Sequence, residues 1–377
     1  MTLHRFLLTL LNGNRKAYER LPTSSARIPE GHGKQNALRR YAVPATLLML
    51  LSTTVVLLIK LTRLKVYSPM DDYQMLNPFP VVQERFNGSY SNSNAVAVVS
   101  TLYTNSYAIA TAVLAHSIRG AESSARLILL YIEGQVSEEA LCISRSAGWE
   151  LLAVPRIAPP LGGKGVRTQF IDQYTKLHIW SLDTMGIKRL VYLDADTLVR
   201  QNFDELFRLP FNFAAVPDVY GPGDARGFSL TFNAGVLAIQ PSSRILENMK
   251  KTETARYPIQ QAEQAFLNLY FGAKAARLPY IYNAFIAIKK RNPVVWEELK
   301  DELAIVHYTD HKPFLSDSQP SNKVLTPDEM TMAMDEAQSK YELWSEEFGW
   351  WRTAYHKMMN DNAAKVMQCV EPGARVG

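Results

Sequence analysis

From residue 95 onward the chain predicts an α/β fold, with a mostly parallel, Rossmann-like sheet covered by helices. Short apolar runs rich in Val, Ile and Leu alternate with segments of helical periodicity. That alternation is the pattern of parallel strands joined by helical crossovers. One run also ends in paired carboxylates, and ligands of such sheets gather at the carboxyl ends of strands.

The elements follow in order. Ala95-Val96-Ala97-Val98-Val99 reads as the first strand, and Tyr107 to Ile118 as a helix with its apolar residues on one face. Leu127 to Tyr131 is a second strand, followed by a helix opening near Ser137, and Leu151 to Val154 is a third strand. Tyr174 to Leu182 is helical, and Leu190 to Leu193 is a fourth, buried strand. Residues 159–165, PPLGGKG, lack the order G-x-x-x-x-G-K-S/T and are no P-loop. A surface loop and a lid over the site both stay open for them. Thr326-Pro327-Asp328-Glu329 is a capping box with proline at the first helical position. Leu343, Trp344, Phe348, Trp351 and Tyr355 follow at helical spacing and are expected to pack against the domain.

The fourth strand runs into Asp194-Ala195-Asp196. Aspartates at i and i+2 where a strand gives way to a loop can turn toward one point. Hard oxygen donors suit Mg²⁺ or Mn²⁺, which bind a few carboxylates together with substrate phosphates. Alone, such a pair is more often a solvated turn, so its neighbours decide the matter.

Composition narrows the classes. The chain has 377 residues, 47% hydrophobic and 20% charged, as an ordinary globular protein of one large or two small domains has. A net charge of +5, much of it near the N-terminus, and the lack of a basic stripe exclude nucleic acid as the expected partner. Cys142 and Cys369 are too few for a zinc site or a disulfide framework, and their pairing depends on the compartment.

Residues 41–59, YAVPATLLMLLSTTVVLLI, carry no charge and have the length of a membrane-spanning helix. Pro44 falls in its first turn, where proline is tolerated. Arg5, Arg15, Lys16, Arg20, Arg27, Lys34, Arg39 and Arg40 precede it against Glu19 and Glu30, while Lys60, Arg63 and Lys65 follow. The excess before the run favours a cytoplasmic N-terminus. Residues 60–94 read as a stem, with a glycosylation sequon at Asn87-Gly88-Ser89.

Further segments join the Asp-x-Asp pair in a fixed order. Ser100-Thr101-Leu102-Tyr103-Thr104-Asn105-Ser106-Tyr107 follows the first strand, and Arg167 and Lys176 lie in RTQFIDQYTKLHIW. Phe232-Asn233-Ala234-Gly235-Val236 opens an apolar run. QQAEQAFLN covers Gln260 to Asn268, and His307-Tyr308-Thr309-Asp310-His311-Lys312-Pro313-Phe314 follows another apolar segment. Together these resemble the glycogenin-like family 8 glycosyltransferases over roughly residues 95–315, in a fungal-type, membrane-anchored form. The resemblance implies a GT-A fold, a UDP-sugar donor, Mn²⁺ and retention of anomeric configuration.

It also implies roles. Asp194, Asp196 and His307 match the metal ligands, and Ala195 lies within the nucleotide-contacting motif. Leu102, Thr104, Asn105 and Tyr107 match the uridine-binding segment, although Tyr107 fits equally as the first core residue of its helix. Arg167, Lys176 and Lys312 match basic residues near the phosphates and donor sugar. Asn233, Ala234 and Gly235 match a turn lining the sugar pocket. Glu263, Gln264 and Lys176 match the catalytic positions, with Glu263 as a stabiliser or transient nucleophile; a solvated helix residue is its equal alternative. Gln260 and Glu263 stand where glycogenin has aspartates, so the donor need not be glucose. Asp310 and Phe314 replace a glycine and a tryptophan.

The expected organisation is a basic cytoplasmic tail at 1–40, a transmembrane anchor at 41–59 and a stem at 60–94. A GT-A catalytic domain at 95–325 and a C-terminal helical extension at 326–377 follow. The expected protein is a single-pass type II membrane protein of the Golgi or another secretory membrane, with a lumenal glycan or glycoconjugate acceptor; a homodimer stays open. Three alternatives stand beside this reading. A D-x-D-x-T phosphatase is disfavoured because Leu198 fills the threonine slot. A membrane-anchored sugar-nucleotide or glycan binder is the main alternative. Self-glucosylation is disfavoured by the anchor.

Overall fold

A computed structural model describes residues 33–63, 95–219, 228–252, 257–316 and 322–370. The expected tail over 1–32, most of the stem and the Asn87 sequon lie outside the described residues. The chain divides into two units, residues 1–66 and 67–377.

In the first unit, α1 spans Gly33–Arg63 and contains Pro44. Its side chains are described over 44–60, and all of those are exposed, Leu48 by 71%. Among the described residues no helix is long and apolar enough to cross a membrane. Residues 41–43, the start of the apolar run, have no described side chains.

The second unit holds the predicted sheet. Strands β1 (Val96–Leu102), β2 (Arg126–Ile132), β3 (Glu150–Val154) and β4 (Arg189–Leu193) are parallel neighbours in the order β3-β2-β1-β4. The sheet then continues through β7 (Phe228–Ile239), β6 (Phe213–Val219) and β8 (Ala276–Arg277). Here β7 is antiparallel to β4 and β6, while β8 runs parallel to β6. A smaller sheet joins β5 (Thr197–Val199), β10 (Ile305–His307) and β9 (Ala284–Phe285) in the order β5-β10-β9.

All five residues of β4 are buried, as a strand covered on both faces requires. Alternate side chains serve two cores. Val98, Val191 and Leu193 face α2 (Ala108–Gly120), α3 (Glu138–Ser146) and the C-terminal helices. Ala97, Val99, Leu190 and Tyr192 face the other layer. That layer holds the segment Gln173–Met185, α4 (Ser243–Thr252) and α5 (Ala262–Phe271). The helix expected at 174–182 is wound as 3-10 turns rather than α.

Ser137 caps α3 through a bond from the Ala140 N–H. After the short helices α6 (Ala287–Arg291) and α7 (Pro293–Leu299), the Thr326–Glu329 capping box opens α8 (Pro327–Lys340). On the following 3-10 turn and α9 (Ser345–Val370), Trp344, Phe348, Trp351 and Tyr355 are buried in the same core as the sheet. Leu343 departs from the expected stripe, at 46% exposed. A disulfide joins Cys142 of α3 to Cys369 of α9.

Candidate active site

The paired carboxylates are aimed by the turn that ends β4. The Asp194 N–H donates to the Gly235 carbonyl of β7 at 2.8 Å, and the Thr197 N–H and hydroxyl both close on the Asp194 carbonyl. From Thr197 the chain starts β5, which pairs antiparallel with β10 so that His307 lies opposite Thr197. The Tyr308 N–H also donates to the Asp196 carbonyl at 3.0 Å. Pairing of two short strands thus carries His307, distant in sequence, to the end of β4.

One ligand atom each from Asp194, Asp196 and His307 lie within 4.8 Å of one another. His307 Nε2 is 3.3 Å from Asp196 and 3.8 Å from Asp194. Two lysines flank the group. Lys176, 1% exposed, pairs with Asp194 at 3.0 Å and Glu263 at 2.7 Å, and its ammonium also donates to the Ala234 carbonyl. Lys312 pairs with Asp196 at 2.5 Å and donates to the carbonyls of Tyr308 and Thr309. Three carboxylates and two ammonium groups thus surround the imidazole.

Burial sets the charges against one another. It would pull the Lys176 ammonium down, but Asp194 and Glu263 outweigh it and hold Lys176 above the ordinary lysine value. Burial would likewise raise Asp196, yet Lys312 and His307 hold that carboxyl below the usual carboxylate range. For Glu263 burial wins over Lys176, and its pKa is raised.

The donor set suits a divalent cation of the Mn²⁺ or Mg²⁺ type: two carboxylates and one imidazole, with neighbouring ammonium groups placed for phosphate. Gly235 shows how tightly the pocket is built. A Cβ there would lie 2.1 Å from His307 Cε1 and 2.4 Å from Nδ1, so no side chain fits while the histidine holds its place.

The other predicted residues divide. Glu263 is buried and joined to the cluster, so the solvated-helix alternative falls. Gln264 accepts from the Ala234 N–H at 3.0 Å, and Asn233 accepts from the Gly235 N–H at 2.9 Å. Ala195 is buried between the aspartates. Leu102 is a core residue. Thr104 bonds the Ser106 hydroxyl at 3.1 Å. Asn105 accepts from the Ser137 N–H and donates its own N–H to Asn322, so it ties three segments together. Tyr107 packs edge-on against Phe314, with ring centroids 5.2 Å apart. Arg167 is exposed, and no described residue forms an ion pair with it. Gln260 and Asp310 are exposed as well.

Two residues escaped the sequence reading. Tyr192 donates to Asp194 at 2.6 Å and bonds Thr101 at 2.9 Å. Asn283 bonds His307 at 2.9 Å. A lone asparagine in the apolar stretch Tyr280-Ile281-Tyr282-Asn283-Ala284-Phe285 was the available signal, because a buried amide demands partners.

A strand end that gathers two aspartates, a histidine and two lysines offers places for a divalent cation and for phosphate, as a nucleotide-sugar transferase needs. The glycosyl transferase family 8 model matches residues 98–317, and the chain belongs to that family. Galactinol synthase 1 of Solanum lycopersicum is 31% identical over 212 residues, covering 52% of this chain and 65% of that protein. Inositol phosphorylceramide glucuronosyltransferase 1 of Arabidopsis thaliana is 30% identical over 192 residues, covering 51% of this chain and 33% of the relative. Glycogenin of Neurospora crassa is 24% identical over 235 residues, with 61% and 33% covered. The chain therefore spans about a third to two thirds of the length of these relatives. Among solved structures, the glycosyltransferase GlyE of Streptococcus pneumoniae TIGR4 aligns at 21% identity with a TM-score of 0.43, covering 66% of this chain and 64% of that one.

Proposed function

We propose that the protein is a metal-dependent, retaining glycosyltransferase that moves a sugar from a UDP-sugar to a glycan or glycoconjugate acceptor. The observation that carries this is the convergence of Asp194, Asp196 and His307 within 4.8 Å, flanked by Lys176 and Lys312. Asp194, Asp196 and His307 would hold Mn²⁺. A bound Mn²⁺ supplies Lewis-acid charge to a departing diphosphate. Lys312 adds positive charge on the same side, once released from Asp196 to donor phosphate. Lys176 fixes Asp194 and Glu263, and Gln264 and Asn233 brace the backbone of the turn that lines the sugar pocket. In the transfer, the bond from the anomeric carbon to the β-phosphate oxygen breaks. The acceptor oxygen bonds to that carbon on the same face, and its proton leaves with the phosphate. Glu263, beside Lys176, stabilises positive charge developing at the sugar.

Residues 41–59 are proposed to anchor the chain, with the catalytic unit in the lumen of the Golgi or another secretory compartment. The exposed apolar side chains of α1 and the Cys142–Cys369 disulfide support that reading, since disulfides persist in oxidising compartments. Glycan at Asn87 would support it further; a protease-accessible catalytic unit outside sealed vesicles would overturn it.

The test is UDP release from a panel of UDP-sugars by the full chain, with Mn²⁺ or EDTA, for wild type and Asp196→Asn. Mn²⁺-dependent release from one donor, lost in the variant, is expected and names the sugar. UDP binding without turnover, with any acceptor class, would favour the binder instead. Neither binding nor turnover would sink both readings.

A further inference from the structure

Both backbone polar groups of Gly235 are committed to the metal-ligand cluster. Its carbonyl accepts from the Asp194 N–H at 2.8 Å, and its own N–H donates to Asn233 Oδ1 at 2.9 Å. A backbone N–H is a donor only, so it settles which end of the Asn233 amide is oxygen. That same oxygen lies 2.9 Å from the Asn283 amide, which must therefore present its nitrogen. The Asn283 oxygen is then the atom 2.9 Å from His307 Nδ1. A carbonyl oxygen only accepts, so Nδ1 carries a proton in the neutral ring and in the imidazolium alike. Nε2, on the side of Asp194 and Asp196, is the nitrogen that is left with the lone pair. Asn283 is 0% exposed, so water offers the ring no substitute acceptor.

We propose that Asn283 is a positioning residue for His307: the Gly235 amide, relayed through Asn233 and Asn283, holds the imidazole as the Nδ1–H tautomer with Nε2 free for a divalent cation. The proposal rests on the reading of Asp194, Asp196 and His307 as a metal site. Without the relay, the neutral ring would be free to place its proton on Nε2 and donate to Asp196, 3.3 Å away, which removes the ligand lone pair. The relay also gives one peptide, at Gly235, control of both arms of the site. It holds Asp194 directly and His307 through two amides. Partners that orient a histidine through its second nitrogen commonly set metal affinity in this way.

Two measurements on the full chain test it. In metal-free protein with ¹⁵N-labelled histidine at mildly alkaline pH, the His307 signals are identified by their loss in His307→Gln. They should show a protonated Nδ1 and a bare Nε2; a neutral ring protonated at Nε2 overturns the proposal. Second, Mn²⁺ alone is titrated and free Mn²⁺ read by electron paramagnetic resonance. Asn283→Ala should bind Mn²⁺ more weakly by about ten- to a hundredfold. Asn283→Asp keeps an acceptor for the Nδ1 proton but loses the donor to Asn233, so it should bind Mn²⁺ more weakly than wild type and more tightly than Asn283→Ala. Wild-type affinity in Asn283→Ala overturns the proposal. So does an aspartate variant no tighter than the alanine one, because an acceptor beside Nδ1 would then make no difference. If Asn283→Ala fails to fold, the histidine spectrum of the wild type decides. If wild type binds no Mn²⁺, the metal reading fails while that spectrum still reports on the relay.

Discussion

Among the described residues, two lysine–glutamate pairs have a buried carboxylate, and they are built differently. Lys289 meets both oxygens of Glu347, at 2.8 and 3.0 Å, and Trp296 Nε1 donates to the same carboxylate at 2.9 Å. Glu347 is 0% exposed, and its backbone carbonyl accepts from Tyr308. That pair locks α9 onto the strand-bearing core. Lys176, by contrast, is shared between Asp194, Glu263 and the Ala234 carbonyl, and Asp194 keeps a side chain 22% exposed. In the first pair both carboxylate oxygens are taken up and the glutamate is sealed from solvent. The second leaves one carboxylate open toward the cluster, as a site that must accept a ligand requires. A buried ion pair is therefore read by what surrounds it and not by its chemistry alone.

Breaking the closed pair should give the largest change in stability. Glu347→Leu leaves Lys289 and the Trp296 N–H without their acceptor, a loss of about 3–5 kcal/mol. Thermal unfolding should show a clearly lowered Tm with Mn²⁺ affinity unchanged; equal losses of both would erase the distinction between the two pairs. Removing the disulfide by Cys142→Ser with Cys369→Ser, which opens a loop of 227 residues, should cost about 2–4 kcal/mol. A Tm insensitive to reductant in the wild type would contradict that.

Lys176→Met should act mainly on turnover. Losing one preorganised charge at the site lowers the rate by about a hundredfold, measured as UDP release. It should also make stability depend on pH. With Lys176 gone, burial and the Asp194 charge drive the folded pKa of Glu263 still further above the unfolded value. The variant then binds that proton more tightly folded than unfolded, so its stability falls as pH rises through the folded value. Its Tm, relative to wild type, should recover on acidification from neutral pH; no recovery would mean that Glu263 is solvated.

The smallest effect is expected at Ala262, just before Glu263. Its φ of +48° lies in a region that favours glycine, and its side chain is 0% exposed. Ala262→Gly relieves strain but adds backbone entropy to the unfolded chain, for a net gain of about 1 kcal/mol. A lowered Tm would mean that the methyl group's packing outweighs the strain.

Much of the sheet was legible. Ala97, Val99, Val191 and Tyr192 lie in runs whose composition allows little besides a buried strand, and the structure extends the first run by three residues and the fourth by one. The Ser137 and Thr326 caps were legible because a cap is a local bond. The 3-10 winding of Gln173–Met185 was not, since periods of 3.0 and 3.6 differ little over so short a stretch. Asp194 and Asp196 announced a site through their spacing. Asn283 offered only its polarity within an apolar stretch, because the partners that give it meaning, His307 and Asn233, lie distant in the chain.

Residue order alone thus settled what local chemistry can settle: the four parallel strands, the caps, the Asp-x-Asp pair and the family motifs. Three-dimensional packing settled the rest. It placed His307 against Asp196 by pairing β5 with β10. It buried Glu263 on Lys176, left Arg167 outside the cluster, and joined Cys142 to Cys369. The reason is physical. Backbone propensity acts over a few residues, whereas a charge or an imidazole proton answers to whichever groups folding brings within a few ångströms of it.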